Sequence, residues 1–167
     1  PADGGDQLYE SQAQDWVPVG RLRGLRAESS GRGLSAADVD GDGDPDLLVA
    51  DAVASALYAN ELDPGAASLE VELAGPAPNR HGIGARVEVA AGGRRQAGEV
   101  QSTFGYGSQR PAVLHFGLGS AAAVEVVDVR WPDGTRTAHP GPLPNRRILL
   151  RHPGAATAVA GQGAGLP

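Results

Sequence analysis

The chain has 167 residues, 41% of them hydrophobic but only 4% aromatic, with 25 glycines, 13 prolines, no cysteine and a net charge of −6. Such a length suits one moderate domain or a small domain with an appended motif, and the absence of cysteine excludes both a disulfide framework and a thiolate metal site. The acidity argues against a nucleic-acid partner, whose phosphate backbone calls for dense positive charge, and no apolar run approaches the roughly 20 residues of a membrane-spanning helix.

The charge is unevenly spread. Residues 1–63 hold 13 acids and 4 arginines, net −9, whereas residues 64–167 hold 7 acids and 10 arginines, net +3. All 14 basic residues are arginine, which with the wealth of Ala and Gly fits a GC-rich coding sequence. Frequent Gly and Pro without a collagen period favour many short strands joined by turns, so the class reads as all-β.

From the N-terminus, residues 1–15 are polar and aperiodic and are expected to be loosely ordered or to lean on a neighbour. They begin PADGGDQ, without a signal-peptide pattern, and a start at Pro1 fits a processed or excised piece. VPVGRLRGL after Trp16 offers one edge strand. Next come LSAA, the run DVDGDGDPD at 38–46, LLVA at 47–50 as a buried strand, and ALYAN after Ser55 as its hairpin partner. SLEVEL from Ser68 alternates with period 2, as a half-buried strand does. GARVEVA (84–90) and RRQAGEVQ (94–101) flank a hairpin turn at AGG, followed by AVLHFGLG (112–119) and AVEVVDVRW (123–131). WPDGT places Pro, Asp and Gly where a tight turn wants them, and RILLRH (147–152) is the last strand. Six or so short strands with intervening turns predict a small β-sandwich or a partly closed barrel. The tail from Gly154 is low in complexity and expected to be disordered. The organisation read from this pass is an N-terminal segment over 1–30, partly ordered or a partial blade, a hairpin unit over 31–62, a β domain over 63–153 and a tail over 154–167.

Asp38, Asp40, Asp42, Asp44 and Asp46 place five carboxylates at alternate positions, with Gly41 and Gly43 between them. Like charges crowded in this way repel unless a cation neutralises them. Ca²⁺ suits the pattern because it takes six to eight hard oxygen ligands. Positions 1, 3, 5 and 9 of the loop would give the carboxylates of Asp38, Asp40, Asp42 and Asp46, and position 7 the carbonyl of Asp44. Gly43 falls at position 6, where a sharp turn needs free φ. Mg²⁺ fits less well, since it demands strict octahedral geometry and keeps its waters. A helix-loop-helix site is excluded because position 12 is Val49 and Pro45 opposes a helix, so the loop must end inside a β-hairpin. The alternative is a solvated acidic turn without an ion.

GRGLSAADVDGDGDPDLLVADAVASALYAN resembles an FG-GAP-type calcium-loop repeat, the blade unit of integrin-like propellers. NRHGIGARVEVAAGGRRQAGEV, GYGSQRPAVLHFGLG and VEVVDVRWPDGT are similar, in order and spacing, to the ASPIC/UnbV domain that follows such repeats in the cartilage acidic protein-like family. Roughly residues 31–153 are covered. The resemblance implies a secreted or surface protein linked to calcium and extracellular matrix, although some bacterial members are encoded with enediyne biosynthesis. It supplies no catalytic residues, and transfers only the calcium ligands Asp38, Asp40, Asp42, Asp44 and Asp46. Relatives usually carry several repeats and this chain has one clear copy. Since one blade cannot close a propeller, a single blade-like hairpin packed on the ASPIC/UnbV sandwich is expected, or a fragment of a longer protein.

Other residues invite chemistry without assembling it. No two of His81, His115, His139 and His152 are three or four apart; His115 sits in a strand pattern and His81 in a turn. Ser108, His115 and an aspartate can be drawn as a triad, but GYGSQ is not a nucleophile elbow. GIG, GYG and GQGAG lack the strand-to-helix context of a phosphate loop and read as turns or bulges. Arg86, Arg94, Arg95, Arg110 and Arg130 are either solvated strand residues or a basic face for an anion. Trp131 and Tyr106 are candidates for stacking on a ligand, with Trp131 better suited to anchoring a core. The expectation is therefore a non-enzymatic, calcium-binding structural or recognition module whose partner is a protein, glycan or small molecule. The alternative is an accessory or catalytic protein of natural-product biosynthesis, which would work in the cytoplasm.

Overall fold

The computed structural model describes residues 7–12, 15–20, 24–25, 31–61, 66–103, 105 and 108–155, and among these it has strands and turns but no helix. The expected tail therefore lies, beyond Ala155, outside the described residues, as does Tyr106. At the N-terminal end, β1 (Tyr9–Gln12) and β2 (Asp15–Pro18) pair antiparallel, with Tyr9 opposite Pro18. The Val19 amide extends the ladder by donating to the Leu8 carbonyl at 2.8 Å. Part of the polar segment 1–15 is thus ordered, and the strand near Trp16 starts earlier than read. Backbone pairing holds this hairpin, for Tyr9 and Trp16 remain 50% and 69% exposed.

A three-stranded antiparallel sheet follows, in the order β3 (Gly31–Ala37), β4 (Asp46–Asp51), β5 (Ala56–Tyr58). Here the reading of LLVA as a buried strand is corrected. Val49 is buried, but Leu48 is 46% exposed and its partner Leu57 54%. Strand side chains alternate between faces. The face bearing Leu47 and Tyr58 lines a groove with Leu8, Val19 and Leu25, whereas the Leu48 face is open.

Strands β6 (Ala67–Ala74), β7 (Arg86–Ala91), β8 (Arg94–Glu99), β9 (Val113–Gly119), β10 (Val124–Arg130), β11 (Arg136–Pro140) and β12 (Arg146–Arg151) build the main body. They form two open sheets, β12-β6-β9 and β11-β10-β7-β8, neither of which closes into a barrel. The period-2 patterns point one face of each sheet inward. Leu69, Val71, Leu73, Leu114 and Phe116 thus meet Val87, Val89, Val127 and Val129 in a common core. Strand β6 is central, antiparallel to β9 and parallel to β12, so Arg146 lies opposite Leu69 and Arg151 opposite Ala74. Strand β11 was not foreseen as a strand: RTAHP is polar and ends in proline, and its order comes from pairing with β10.

The turns have identifiable chemistry. Gly92 and Gly93 join β7 to β8 with φ of 57° and 72°, the paired positive values that a type I′ hairpin requires. In NRHGIG, Asn79 Nδ2 donates to the Ile83 carbonyl and Asn79 Oδ1 accepts the Ile83 amide, at 2.9 and 2.8 Å. Gly82, at φ 63°, brings this turn so close to Leu73 and Trp131 that a Cβ would lie 3.1 Å from the former and 3.2 Å from the latter. These glycines make a packed turn, as read. In WPDGT, Trp131 is buried and its indole N–H donates to Thr137 Oγ1 at 3.2 Å. Buried His152 crosses it edge to face at a centroid distance of 4.9 Å. His152 Nε2 bonds Asp133 Oδ2 at 3.1 Å while Nδ1 accepts the Gly154 amide at 2.9 Å, tying the chain after β12 to the β10–β11 turn.

Candidate metal centre

The aspartate run is the β3–β4 hairpin connection, beginning after the last ladder pair, Ala37 opposite Asp46. Its backbone winds tightly. Gly41 and Gly43 take φ of +83° and +99°, which favour glycine. The Asp38 carboxylate accepts the Gly41 amide at 2.7 Å and the Gly43 amide at 3.1 Å. Asp40 Oδ1 accepts the Asp42 amide at 3.2 Å, and Asp42 Oδ1 the Asp44 amide at 3.1 Å, a succession of Asx turns.

The five aspartates then take different positions. Asp38, Asp40 and Asp42 each bring a carboxylate oxygen within 4.8 Å of the others, the one such group of three potential metal-ligating side chains among the described residues. Asp44 Oδ1 is buried and has no hydrogen-bond partner. Burial, then the charges of Asp42, Asp46, Asp40 and Asp38, hold its carboxyl above the ordinary carboxylate range. Asp46, 3% exposed, is engaged with backbone: Oδ2 accepts the Val39 amide and Oδ1 the Asn60 amide, both at 2.9 Å. Hard oxygen donors with one orphaned buried oxygen fit a hard divalent cation. The Asp38, Asp40 and Asp42 oxygens can supply its negative ligands.

The loop is seated on the outer face of the β12-β6-β9 sheet. His115 Nε2 contacts the Gly43 carbonyl at 2.9 Å, an acceptor that fixes Nε2 as the protonated nitrogen. A Cβ at Gly43 would come within 3.2 Å of Ser68 Oγ, so glycine there serves close approach as well as φ. In register with His115, Glu70 accepts from Arg147 Nε at 2.8 Å. That hydrogen bond, ahead of the charge of Glu70 itself, raises the Arg147 guanidinium pKa. Asp38, Pro45, Glu70, Arg110, His115 and Arg147 border a cleft of about 390 Å³ between loop and sheet. Two further bonds fasten β3 to the segment before β9: Ser108 Oγ accepts the Leu34 amide at 2.8 Å and Ser35 Oγ donates to the Gln109 carbonyl at 3.1 Å.

Sequence reasoning placed His115 in a strand but missed its reach to the loop, and it missed the Asn60 amide altogether. The i to i+72 pairing of Gly43 with His115 leaves no local signal. Ser108 and His115 are thus each committed to a different backbone partner. Of the remaining histidines, His81 is exposed in its turn and His139 Nε2 contacts Thr137 Oγ1 at 3.1 Å.

Residues 75–157, just under half of the chain, match the family model described as ASPIC and UnbV. The match spans β7 to β12, with β6 and the aspartate hairpin ahead of it. No curated protein matches the chain.

Proposed function

We propose that this chain, with its ASPIC/UnbV region folded as a β-sandwich, is a non-enzymatic recognition module whose aspartate hairpin holds Ca²⁺. One observation carries the reading: three carboxylates converge within 4.8 Å in a loop whose Asp44 Oδ1 is buried and without a hydrogen-bond partner. Asp38, Asp40 and Asp42 would hold the ion, with Asp44 and Asp46 completing the set along the FG-GAP-type pattern. The ion supplies positive charge and no redox or acid–base chemistry. The chain's own part is to wind the loop through Gly41 and Gly43 and to seat it on His115 and Ser68. The ion thereby makes the hairpin one rigid piece with the sandwich, presenting a fixed surface to a protein, glycan or small-molecule partner. Calcium sites of extracellular modules are weak, with Kd of roughly 10⁻⁴–10⁻³ M, so the setting proposed is outside the cytoplasm. The His152–Asp133 pair also supports a structural rather than a catalytic reading, because both ring nitrogens are already engaged.

Thermal melting in chelator and in calcium tests this. Binding to the folded state alone stabilises by about 2.7 kcal/mol at 100 times Kd. For a chain of this size the midpoint rises by roughly 2–4 °C per kcal/mol, so a gain of roughly 5–10 °C is expected, and its loss in Asp40→Ala. An unchanged midpoint together with no calorimetric heat on adding calcium overturns the reading.

A further inference from the structure

The outer face of the four-stranded sheet carries a feature that neither the core nor the aspartate loop accounts for. In the ladders, Arg86 of β7 lies directly opposite Arg130 of β10, and Arg130 directly opposite Arg136 of β11. Three arginines therefore stand side by side across three hydrogen-bonded strands, all exposed. Directly opposed residues have Cβ atoms roughly 4.5–5.5 Å apart, and like charges so placed oppose folding. A chain of net charge −6 has acids to spare for such a row, yet none of the three guanidiniums has an ion-pair partner among the described residues. Glu99 of β8 lies opposite Arg86 at the end of this row without forming an ion pair to it, and the acids of the neighbouring row are directed elsewhere. Glu88 and Asp128, opposite one another, face Arg95, which bonds Glu88 Oε1 and lies 3.9 Å from Asp128 Oδ2.

We infer that the Arg86–Arg130–Arg136 row binds the tetrahedral oxyanion of a phosphate or sulfate group. The three side chains border one concavity of about 500 Å³, which Glu88 and Asp128 of the adjacent row also line. Guanidinium suits this ligand because it is planar, permanently charged, weakly hydrated and able to donate two parallel N–H bonds to an oxyanion. Arg130, with a like charge on either hand, contributes most, since the anion relieves two repulsions there at once. The two carboxylates accept hydrogen bonds from hydroxyl groups of whatever bears the anion, and they repel ligands that extend a second negative charge toward them.

The site lies on the opposite sheet from the aspartate loop, so it stands or falls apart from the calcium reading. The test titrates inorganic phosphate and, separately, inorganic sulfate into the full chain in calcium-free buffer, with sodium chloride at equal ionic strength as reference. Nitrogen-detected resonances of the arginine side chains are followed alongside the melting midpoint. Saturable millimolar shifts of Arg86, Arg130 and Arg136 are expected, weakened at least tenfold in Arg130→Gln and unaffected by Arg94→Gln. The ratio of the two anions' affinities identifies phosphate or sulfate as the preferred group. Without anion, Arg130→Gln should melt at or above the wild-type temperature, because a repulsion has been removed. Shifts no larger than those in chloride, or equal binding by Arg130→Gln, overturn the inference.

Discussion

Asp46, besides its proposed place at the ion, has an architectural role that can be measured without metal. Asp46 is 3% exposed, and its carboxylate accepts one backbone amide from the start of the loop, Val39, and another from just beyond β5, Asn60. A hydrogen bond to an ionised group contributes about 1.5–3 kcal/mol, so Asp46→Ala removes about 3–6 kcal/mol of holding energy from a three-stranded sheet with one open face. This loss needs no metal. Asp40, by contrast, is exposed and accepts only the Asp42 amide, at 3.2 Å. Asp40→Ala should therefore stay within about 1 kcal/mol of wild type in chelator and lose only its response to calcium. The assay is denaturant unfolding of both variants in chelator and in calcium, with hydrogen exchange at the Val39 and Asn60 amides to localise the effect. If Asp46→Ala matches wild type within about 0.5 kcal/mol in chelator, and the two amides exchange no faster, the structural role assigned to Asp46 is wrong.

Trp131→Ala should destabilise the sandwich by about 3–5 kcal/mol, since the indole is 2% exposed, bonds Thr137 and meets the His152 ring; Trp131→Phe should recover most of that in the same unfolding experiment. Asp133 gives a pH prediction. Hydrogen bonding from the Thr135 amide, then from its hydroxyl, with the nearby His152, holds the Asp133 carboxyl below its ordinary range. A depressed folded-state pKa contributes stability that is present above the unfolded value of about 3.9 and is lost as pH falls through the folded one. Wild type should therefore exceed Asp133→Asn in unfolding midpoint at pH 6, with the gap closing as pH falls below the unfolded value; a gap that stays constant as the solution is acidified refutes the assignment.

The parts of the fold that could be read from the sequence are those whose cause is local. SLEVEL and VEVVDVRW alternate because each strand buries one face, AGG turns because two adjacent positions need positive φ, and the aspartate run had to be a hairpin connection because Pro45 and LLVA bar a helix. What could not be read is set by partners distant in the chain. YESQ has no apolar periodicity, yet it pairs with DWVP. RTAHP is polar and becomes a strand only because β10 lies beside it. Within the loop, spacing gathers Asp38, Asp40 and Asp42, but it does not reveal that Asp46 ties Val39 to Asn60 or that His115 meets Gly43. The arginine row emerges only once the register of three strands is known: Arg86 and Arg130 were candidates for a basic face, Arg136 was not, and Arg95 belongs to a different row.

The parallel pairing of β12 with β6 bears on how the protein is made. As the chain leaves the ribosome, β7, β8, β10 and β11 can assemble from neighbours already synthesised, but β6 must wait for residues 146–151 before its second edge is covered. Throughout that interval Leu69, Val71 and Leu73 sit on a strand with an unpaired margin, the kind of surface that recruits other nascent chains. A stop just before Arg146 would prolong this exposed state indefinitely, so the last strand acts as the latch that ends the aggregation-prone phase of biosynthesis.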